Sequence, residues 1–290
     1  MAEIKSERPL SSGRFLFGAV GLLLCGFGAA GCSLLAPGPA DGPAPGPGAT
    51  GASLSKLPAV DFLLIGEQHD ADEHHRIERE AVQALAAQGR LAALAVEMAE
   101  QGRDTRRLGP DAEPAQVREA LAWSDRAWPW SDYGPVVMAA VEAGVPVLGA
   151  NLPRARMKDA MADVSLDAQL SADARKAQED AVRDGHCNLL PESQIQPMTR
   201  VQVARDRAMA LTLAQARVPG KTVLLVSGAG HIARGTGVPQ HLPTDMKVLV
   251  LRLAAGEPPP AEPPAAYDAT WTTPALPPVD HCAELRNRPR

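Results

Sequence analysis

The chain has 290 residues, 29 basic and 34 acidic side chains and a formal charge of −5, so it lacks the basic surplus that a nucleic-acid binder presents. Beyond a low-complexity stretch near the amino terminus, about 220 residues remain, enough for one sizeable core or two modest ones.

The first segment reads as an export signal. Lys5, Arg8 and Arg14 precede an apolar run from Phe15 through Phe27, the positive-then-hydrophobic order of a secretory signal. That run is shorter than the about 20 apolar residues of a stable membrane span. It closes on Ala29-Ala30-Gly31-Cys32, which resembles a bacterial lipobox with Ala29 in place of the more usual Leu. Cys32 is therefore the expected lipidation site, with residues 1–31 as the signal peptide. Those residues carry three basic and two acidic groups, so the mature chain would carry −6.

Residues 33–52 are almost entirely Pro, Gly, Ala, Ser and Leu, a composition that cannot bury enough apolar surface to fold. Residues 32–56 are expected to form a tether. Ser33 follows Cys32, and no acidic residue there signals inner-membrane retention, so the outer membrane, facing the periplasm, is the expected destination. Cys25 would leave with the signal, which leaves Cys187 and Cys282. In an oxidising compartment they either form a disulfide or stay as two separate buried thiols; spacing does not decide.

The remaining elements alternate. Ala59 to Ile65 predicts a buried strand and residues 73–88 a helix, with Ile77, Ala81, Ala84 and Leu85 at helical spacing. Leu91 to Val96 predicts a strand and Pro114 to Trp123 a helix. Pro135 is expected to open a further helix that Gly144-Val145-Pro146 ends, before a strand over Val147 to Ala150. Residues 154–183 and 193–217 predict two long helices, a cap or insert over 154–217. Strands follow at Val223 to Val226 and Val248 to Leu253, and Tyr267 to Trp271 predicts an edge strand. This alternation implies an α/β fold, a mostly parallel sheet with helices on both faces, over 57–277 with a tail at 278–290.

Polar residues cluster just past the strand ends: Gly66-Glu67-Gln68-His69, then Glu97, then Asn151-Leu152-Pro153-Arg154, then Gly228-Ala229-Gly230-His231. In an open parallel sheet those ends share one edge, where ligands bind, so the clusters are expected to converge. Glu67 and His69 are two apart, so an extended backbone points them the same way. A buried Glu97 needs a cation, metal or donor; Arg154 is one candidate partner. Glu67, His69, Glu97 and His231 together form a candidate set for a divalent metal with an open position. His74 and His75 are expected to be solvated or packed at the rim, and His186 beside Cys187 to be structural. On the 193–217 helix, Gln202, Arg205, Asp206 and Met209 share a face, read as a polar surface. Trp123, Trp128, Trp130 and Tyr133 fall within eleven residues, either an apolar patch for a flat ligand or packing between helices.

Several of these stretches together resemble a known family. Leu63 to His69, Glu97-Met98, Tyr133-Gly134-Pro135, Ala150 to Arg154, Gly185-His186-Cys187, Gln202 to Ala210, and Gly228 to His231 through Gly237-Val238-Pro239 are similar to the ChaN family of haem-binding uptake lipoproteins, over about residues 57–275. That family shares a superfamily with the Tiki proteases, whose Gly-x-x-His motif is matched at Gly66–His69 and again at Gly228–His231. The resemblance implies an α/β domain with a helical cap, attached to an outer membrane and engaged in haem or iron acquisition. On this reading the cofactor is haem, with Tyr133, His69 or His231 as iron ligand, Asn151 and Arg154 at the site, and the tryptophans against the porphyrin. An envelope uptake partner and a homodimer sharing haem are part of the expectation. The alternative is a metal-dependent, peptidase-like hydrolase, with His69, His231 and a carboxylate on the metal and Glu67 or Glu97 taking a proton from bound water.

Overall fold

The computed structural model describes residues 41–46, 48–257 and 266–287; the signal segment, Cys32 and the start of the tether lie outside them. Among the described residues, seven strands form one all-parallel sheet. In chain order they are β1 (Gly42–Pro43), β2 (Phe62–Glu67), β3 (Leu91–Glu100), β4 (Val147–Asn151), β5 (Thr222–Gly228), β6 (Val248–Ala255) and β7 (Ala269–Thr273), and across the sheet they run β1-β7-β6-β2-β5-β3-β4.

The central strands are apolar throughout because both faces of the sheet are covered. Leu63 and Ile65 of β2 face α2 (Asp72–Ala87) and α4 (Trp130–Glu142), packing with Ile77, Leu85 and Val136. Phe62 and Leu64 face the other way, onto Met209 and Leu213 of α7 (Glu192–Ala216). A third, smaller cluster joins the first half of α7 to the helical cap through Leu166, Leu170, Val201 and Val203. The remaining helices are α1 (Thr50–Leu54), α3 (Pro114–Ala120), α5 (Met157–Ala162), α6 (Ala172–Gly185), α8 (Ala229–Ile232) and α9 (His281–Asn287).

Several expectations need correction. The long helix over 154–183 is broken into Arg154–Arg156, α5, Val164–Ala168 and α6. Asp163 accepts a hydrogen bond from the Ser165 N–H and Ser171 one from the Ala174 N–H, so each of these short polar side chains starts a new helix instead of continuing the old one. The helix expected to open at Pro135 begins a turn earlier, at Trp130, whose N–H donates to Asp125 Oδ1 at 3.2 Å. Gly134 helps here, since without a Cβ it escapes the clash that normally drives a pre-proline residue out of helix.

The tether gives way to folded chain earlier than expected. Gly42–Pro43 pairs with β7, the Gly48 N–H donates to Glu80 Oε1 at 2.9 Å, and Leu54 of α1 is buried. Because β1 flanks it, β7 is not the outermost strand. The expected tail contains α9, whose Cys282 is disulfide-bonded to Cys187.

β3 runs four residues past its expected end. Val96 pairs with Gly149 and Glu100 with Asn151, so residues 97–99 hold two more residues than the facing strand. An irregularity of this kind re-aims side chains next to it, and Glu97 is the first residue within it.

Candidate functional site

The strand ends bring two carboxylates together at the expected edge. In the register of β2 on β5, Glu67 lies opposite Gly228. Glu67 is buried, and its Oε1 accepts from Tyr133 Oη and from His69 Nδ1, both at 2.8 Å. His75 Nε2, from α2, stands 3.1 Å from Oε2. Burial pushes the Glu67 carboxyl up, yet the imidazoles of His69 and His75 outweigh burial and hold it below the usual range. Glu78, fully buried on α2, goes the other way: burial and the neighbouring Glu67 charge push its pKa well up.

The second cluster is closed. His231, on α8, places Nδ1 2.6 Å from Asp206 Oδ1 and Nε2 3.4 Å from Glu97 Oε1, while the Gly228 N–H donates to Glu97 Oε2 at 2.8 Å. Burial opposes an imidazolium, but two flanking carboxylates raise the His231 pKa to about 10. Burial likewise opposes ionised Glu97, and His231, His69 and the Gly228 amide bring it down to about 2. Asp206 has one strong partner only, and burial leaves it raised to about 6.

The two clusters interlock through their glycines. A Cβ on Gly66 would lie 2.8 Å from the Ala229 Cα and 2.5 Å from Ile232 Cδ1, so β2 can approach α8 only without one. A Cβ on Gly228 would lie 2.9 Å from His69 Nε2. Each glycine is the space that the other segment fills.

His69 is the open member. Its side chain is 41% exposed, its ring lies edge-on to Trp128 with centroids 4.8 Å apart, and Nε2 has no hydrogen-bond partner among the described residues. Burial of part of the ring lowers its pKa, and the Glu67 hydrogen bond with the Glu97 charge raises it above the usual value. The ring opens onto a cleft of about 460 Å³ lined by His69, Asp70, Trp128, Pro129, Tyr133 and His281. Trp123 and Trp130 stand behind it, edge to face at 5.0 Å, with Trp123 Nε1 donating to the Trp128 carbonyl. Thus Trp128 faces the cleft, and the other two tryptophans are packing between helices. A larger cleft of about 670 Å³, lined by Leu166, Arg207, Leu211 and His241 among others, opens between α5 and α7 and contains none of these clustered side chains.

Of the residues expected at the site, Glu67, His69, Glu97, His231 and Tyr133 come together, but not in the expected roles. Tyr133 is 2% exposed and its hydroxyl is committed to Glu67, with burial and that carboxylate raising its pKa, so it does not present a phenolate to iron. Both ring nitrogens of His231 face carboxylates, so it has none to offer a ligand. The four-residue metal set is corrected for the same reason. Its groups neutralise one another in pairs, and among the described residues no three His, Cys, Asp or Glu side chains are arranged to hold a metal ion.

Asn151 and Arg154 stay outside the cluster. The Asn151 side-chain oxygen is buried without a partner, and Arg154 is exposed, its backbone N–H donating to Glu100 Oε1. Glu97 is therefore paired by His231 and a backbone amide, not by Arg154. His74 is fully buried rather than solvated, accepting from the Gln68 N–H and bonding Thr273 Oγ1 at 3.0 Å each. His75 is buried against Tyr133. Sequence reasoning missed Glu78 and His281 and read Asp206 as surface. A carboxylate one step from Arg205 on a helix looks solvated, and only the packing of α7 on the sheet buries it.

A family model described as haem-binding uptake, Tiki superfamily, ChaN, matches residues 53–242. The chain belongs to the ChaN family. Among solved structures, cofacial heme binding to ChaN of Campylobacter jejuni is similar, with a TM-score of 0.57 and 25% identity over 69% of this chain and 84% of that one. RRSP, a MARTX toxin effector domain from Vibrio vulnificus, is more distant at a TM-score of 0.40 and 14% identity, over 71% of this chain and 35% of that one. A comparison with curated proteins finds no match. Placed on this ChaN member, the match covers both Gly-x-x-His segments and ends before the strand β6.

Proposed function

We propose that this ChaN-family protein binds haem at the His69 cleft and works in haem or iron uptake from the cell envelope. The observation that carries the reading is His69 itself. One ring nitrogen is oriented by Glu67, the other has no protein partner among the described residues, and the half-exposed ring sits on the edge of Trp128 above an apolar cleft. An imidazole oriented by a carboxylate on one nitrogen and open on the other is the donor that a haem iron takes, and an apolar wall suits a porphyrin face. The relative's haem binding is cofacial, and an open cleft of this kind would leave one haem face available to a second copy.

Lipid attachment at Cys32 and outer-membrane residence are part of the proposal, supported by the signal-like segment and by a disulfide of the kind that persists in oxidising compartments. No helix among the described residues is long and apolar enough to cross a membrane. Cys32→Ser should move the protein out of the detergent phase in phase separation; continued membrane partitioning would remove the anchor from the account.

Haemin titration tests the site. The parent protein should develop a Soret band saturating at a fixed stoichiometry, and His69→Ala should lose at least about tenfold in affinity, near 1.4 kcal/mol. Unchanged binding in His69→Ala, with loss in His241→Ala instead, would move haem to the larger cleft and overturn the assignment.

A further inference from the structure

Two imidazoles border the His69 cleft, and the second comes from outside the family match. His281 is the first residue of α9 and lines the cleft with His69, Asp70 and Trp128. Its ring is 72% exposed, and its Nε2 is 3.8 Å from Asp70 Oδ2, a loose contact that leaves the ring free to meet a ligand. The matched region ends at residue 242, so this wall of the cleft is built from chain beyond it.

What holds α9 there needs an explanation, because seven residues form a marginal helix in water. Asp280 accepts from the N–H groups of Cys282 and Ala283, both at 3.0 Å, and from Arg286 at 2.5 Å. These bonds shape the helix but tie it only to itself. Its described side chains include no buried one: His281 and Arg286 are exposed, and Cys282 and Ala283 are half-buried. The firm tie to the domain is the Cys187–Cys282 bridge. At the other end of that bridge, Cys187 and Asn188 both adopt φ of 56°, left-handed backbone that side chains with a Cβ rarely take. The Cys187 and Asn188 N–H groups satisfy the end of α6, donating to Asp184 and Arg183 carbonyls at 2.8 Å. The thiol is thus presented from a fixed turn, not from a loose loop.

We propose that His281 is a second side chain contacting the ligand of the His69 cleft, and that the Cys187–Cys282 disulfide is what keeps it there. The inference rests on the haem-binding reading and adds to it a residue and the covalent tie that positions it. His281 acts directly on the ligand; the two cysteines act only through His281.

That division makes a test by combination. Haemin is titrated into the full chain in detergent, as the parent, His281→Ala, Cys187→Ser with Cys282→Ser, and all three changes together, with far-ultraviolet circular dichroism checking that each is folded. His281 is exposed, so its removal leaves the fold unaffected. His281→Ala and the double serine variant should each weaken binding by about tenfold, and the triple variant no further than either, because residues acting as one unit are not additive. Equal affinity of His281→Ala and parent would overturn the contact, and losses that multiply in the triple variant would overturn the role of the disulfide. Absence of binding by the parent would overturn the haem reading and this inference with it, whereas parent binding with an indifferent His281 overturns the inference alone.

Discussion

Gly66-Glu67-Gln68-His69 and Gly228-Ala229-Gly230-His231 are two copies of one short pattern, each placed just past the end of a central strand, and their histidines meet opposite fates. His69 has a carboxylate on one nitrogen and no hydrogen-bond partner among the described residues at the other; His231 has carboxylates at both and is 13% exposed. The difference arises outside the motifs. Glu97, turned by the irregularity in β3, and Asp206, brought down by α7, close around His231, whereas the second nitrogen of His69 lies beside Gly228, which has no side chain to offer it, and the ring edge meets Trp128 at the cleft. A motif of this length supplies a histidine at a sheet edge, and the neighbouring elements decide whether that histidine is structural or available.

The largest effect is expected where the closed copy loses a partner. Glu97→Ala leaves Nε2 of the His231 imidazolium and the Gly228 amide without their acceptor, Asp206 remaining on Nδ1, and breaking a buried pair from one side costs about 3–5 kcal/mol. Chemical denaturation should register that loss, with His69→Ala below about 1 kcal/mol because Glu67 keeps Tyr133 and His75. Similar losses in both variants would erase the distinction between a locked and an open histidine.

A smaller effect sharpens the contrast between the glycines. Gly66→Ala meets backbone at Ala229 and should destabilise by about 1–3 kcal/mol, as overpacking does. Gly228→Ala meets the end of a movable ring, so its effect should fall on haemin affinity, with a melting temperature close to the parent's. If Gly228→Ala melts earlier than Gly66→Ala, the interlocking is misassigned.

The pH dependence of stability separates the copies again. The His231 pKa is raised from 6.5 to about 10 in the folded protein, so its contribution is fully present below pH 6.5 and is lost as pH rises through 10. Glu97, lowered to about 2, contributes above pH 4.5 and loses that contribution as pH falls towards 2. Asp206, raised to about 6, opposes it, since its protonation favours the folded state between pH 6 and 3.8. The melting temperature should therefore decline from pH 7 to 10, and His231→Gln should flatten the decline. Superimposable alkaline limbs would show that His231 is not held as the imidazolium.

Smallest of all is the shift expected at low pH from His74, whose burial lowers its pKa to about 4. The unfolded chain takes up this proton first, so stability falls as pH drops from 6.5 to 4, and a His74→Gln variant should lose that part of the slope in acid titrations followed by fluorescence.

Much of this molecule is visible in its sequence because apolar runs such as Leu63–Ile65 and Val223–Val226 have no other use than burial on both faces of a parallel sheet. The polar residues after them were legible for the same reason, since the change from apolar to charged marks the strand's end. Helix boundaries in the cap were not: Asp163 and Ser171 lie in a stretch whose composition is helical throughout, and their capping bonds outweigh that composition. Nor could spacing tell that the Tyr133 hydroxyl turns inward to Glu67, that Glu78 is fully buried, or that two cysteines 95 residues apart meet. Those facts depend on how α2, α4 and α9 pack, and pairwise distance in sequence carries no record of it.

The reciprocal sockets at Gly66 and Gly228 also constrain how such a protein can drift. A change at Gly66 presses on the backbone of the other segment and one at Gly228 on the His69 ring, so a substitution in one copy is felt in the other. A descendant that had abandoned its ligand would still keep Gly66, because it is retained for room against the Ala229 backbone and not for chemistry, whereas Gly228 makes room only for the His69 ring. His69 would be free to vary in that lineage, and His231 would not. Invariance at Gly66 would therefore be a poor guide to retained function, and the identity of residue 69 a better one.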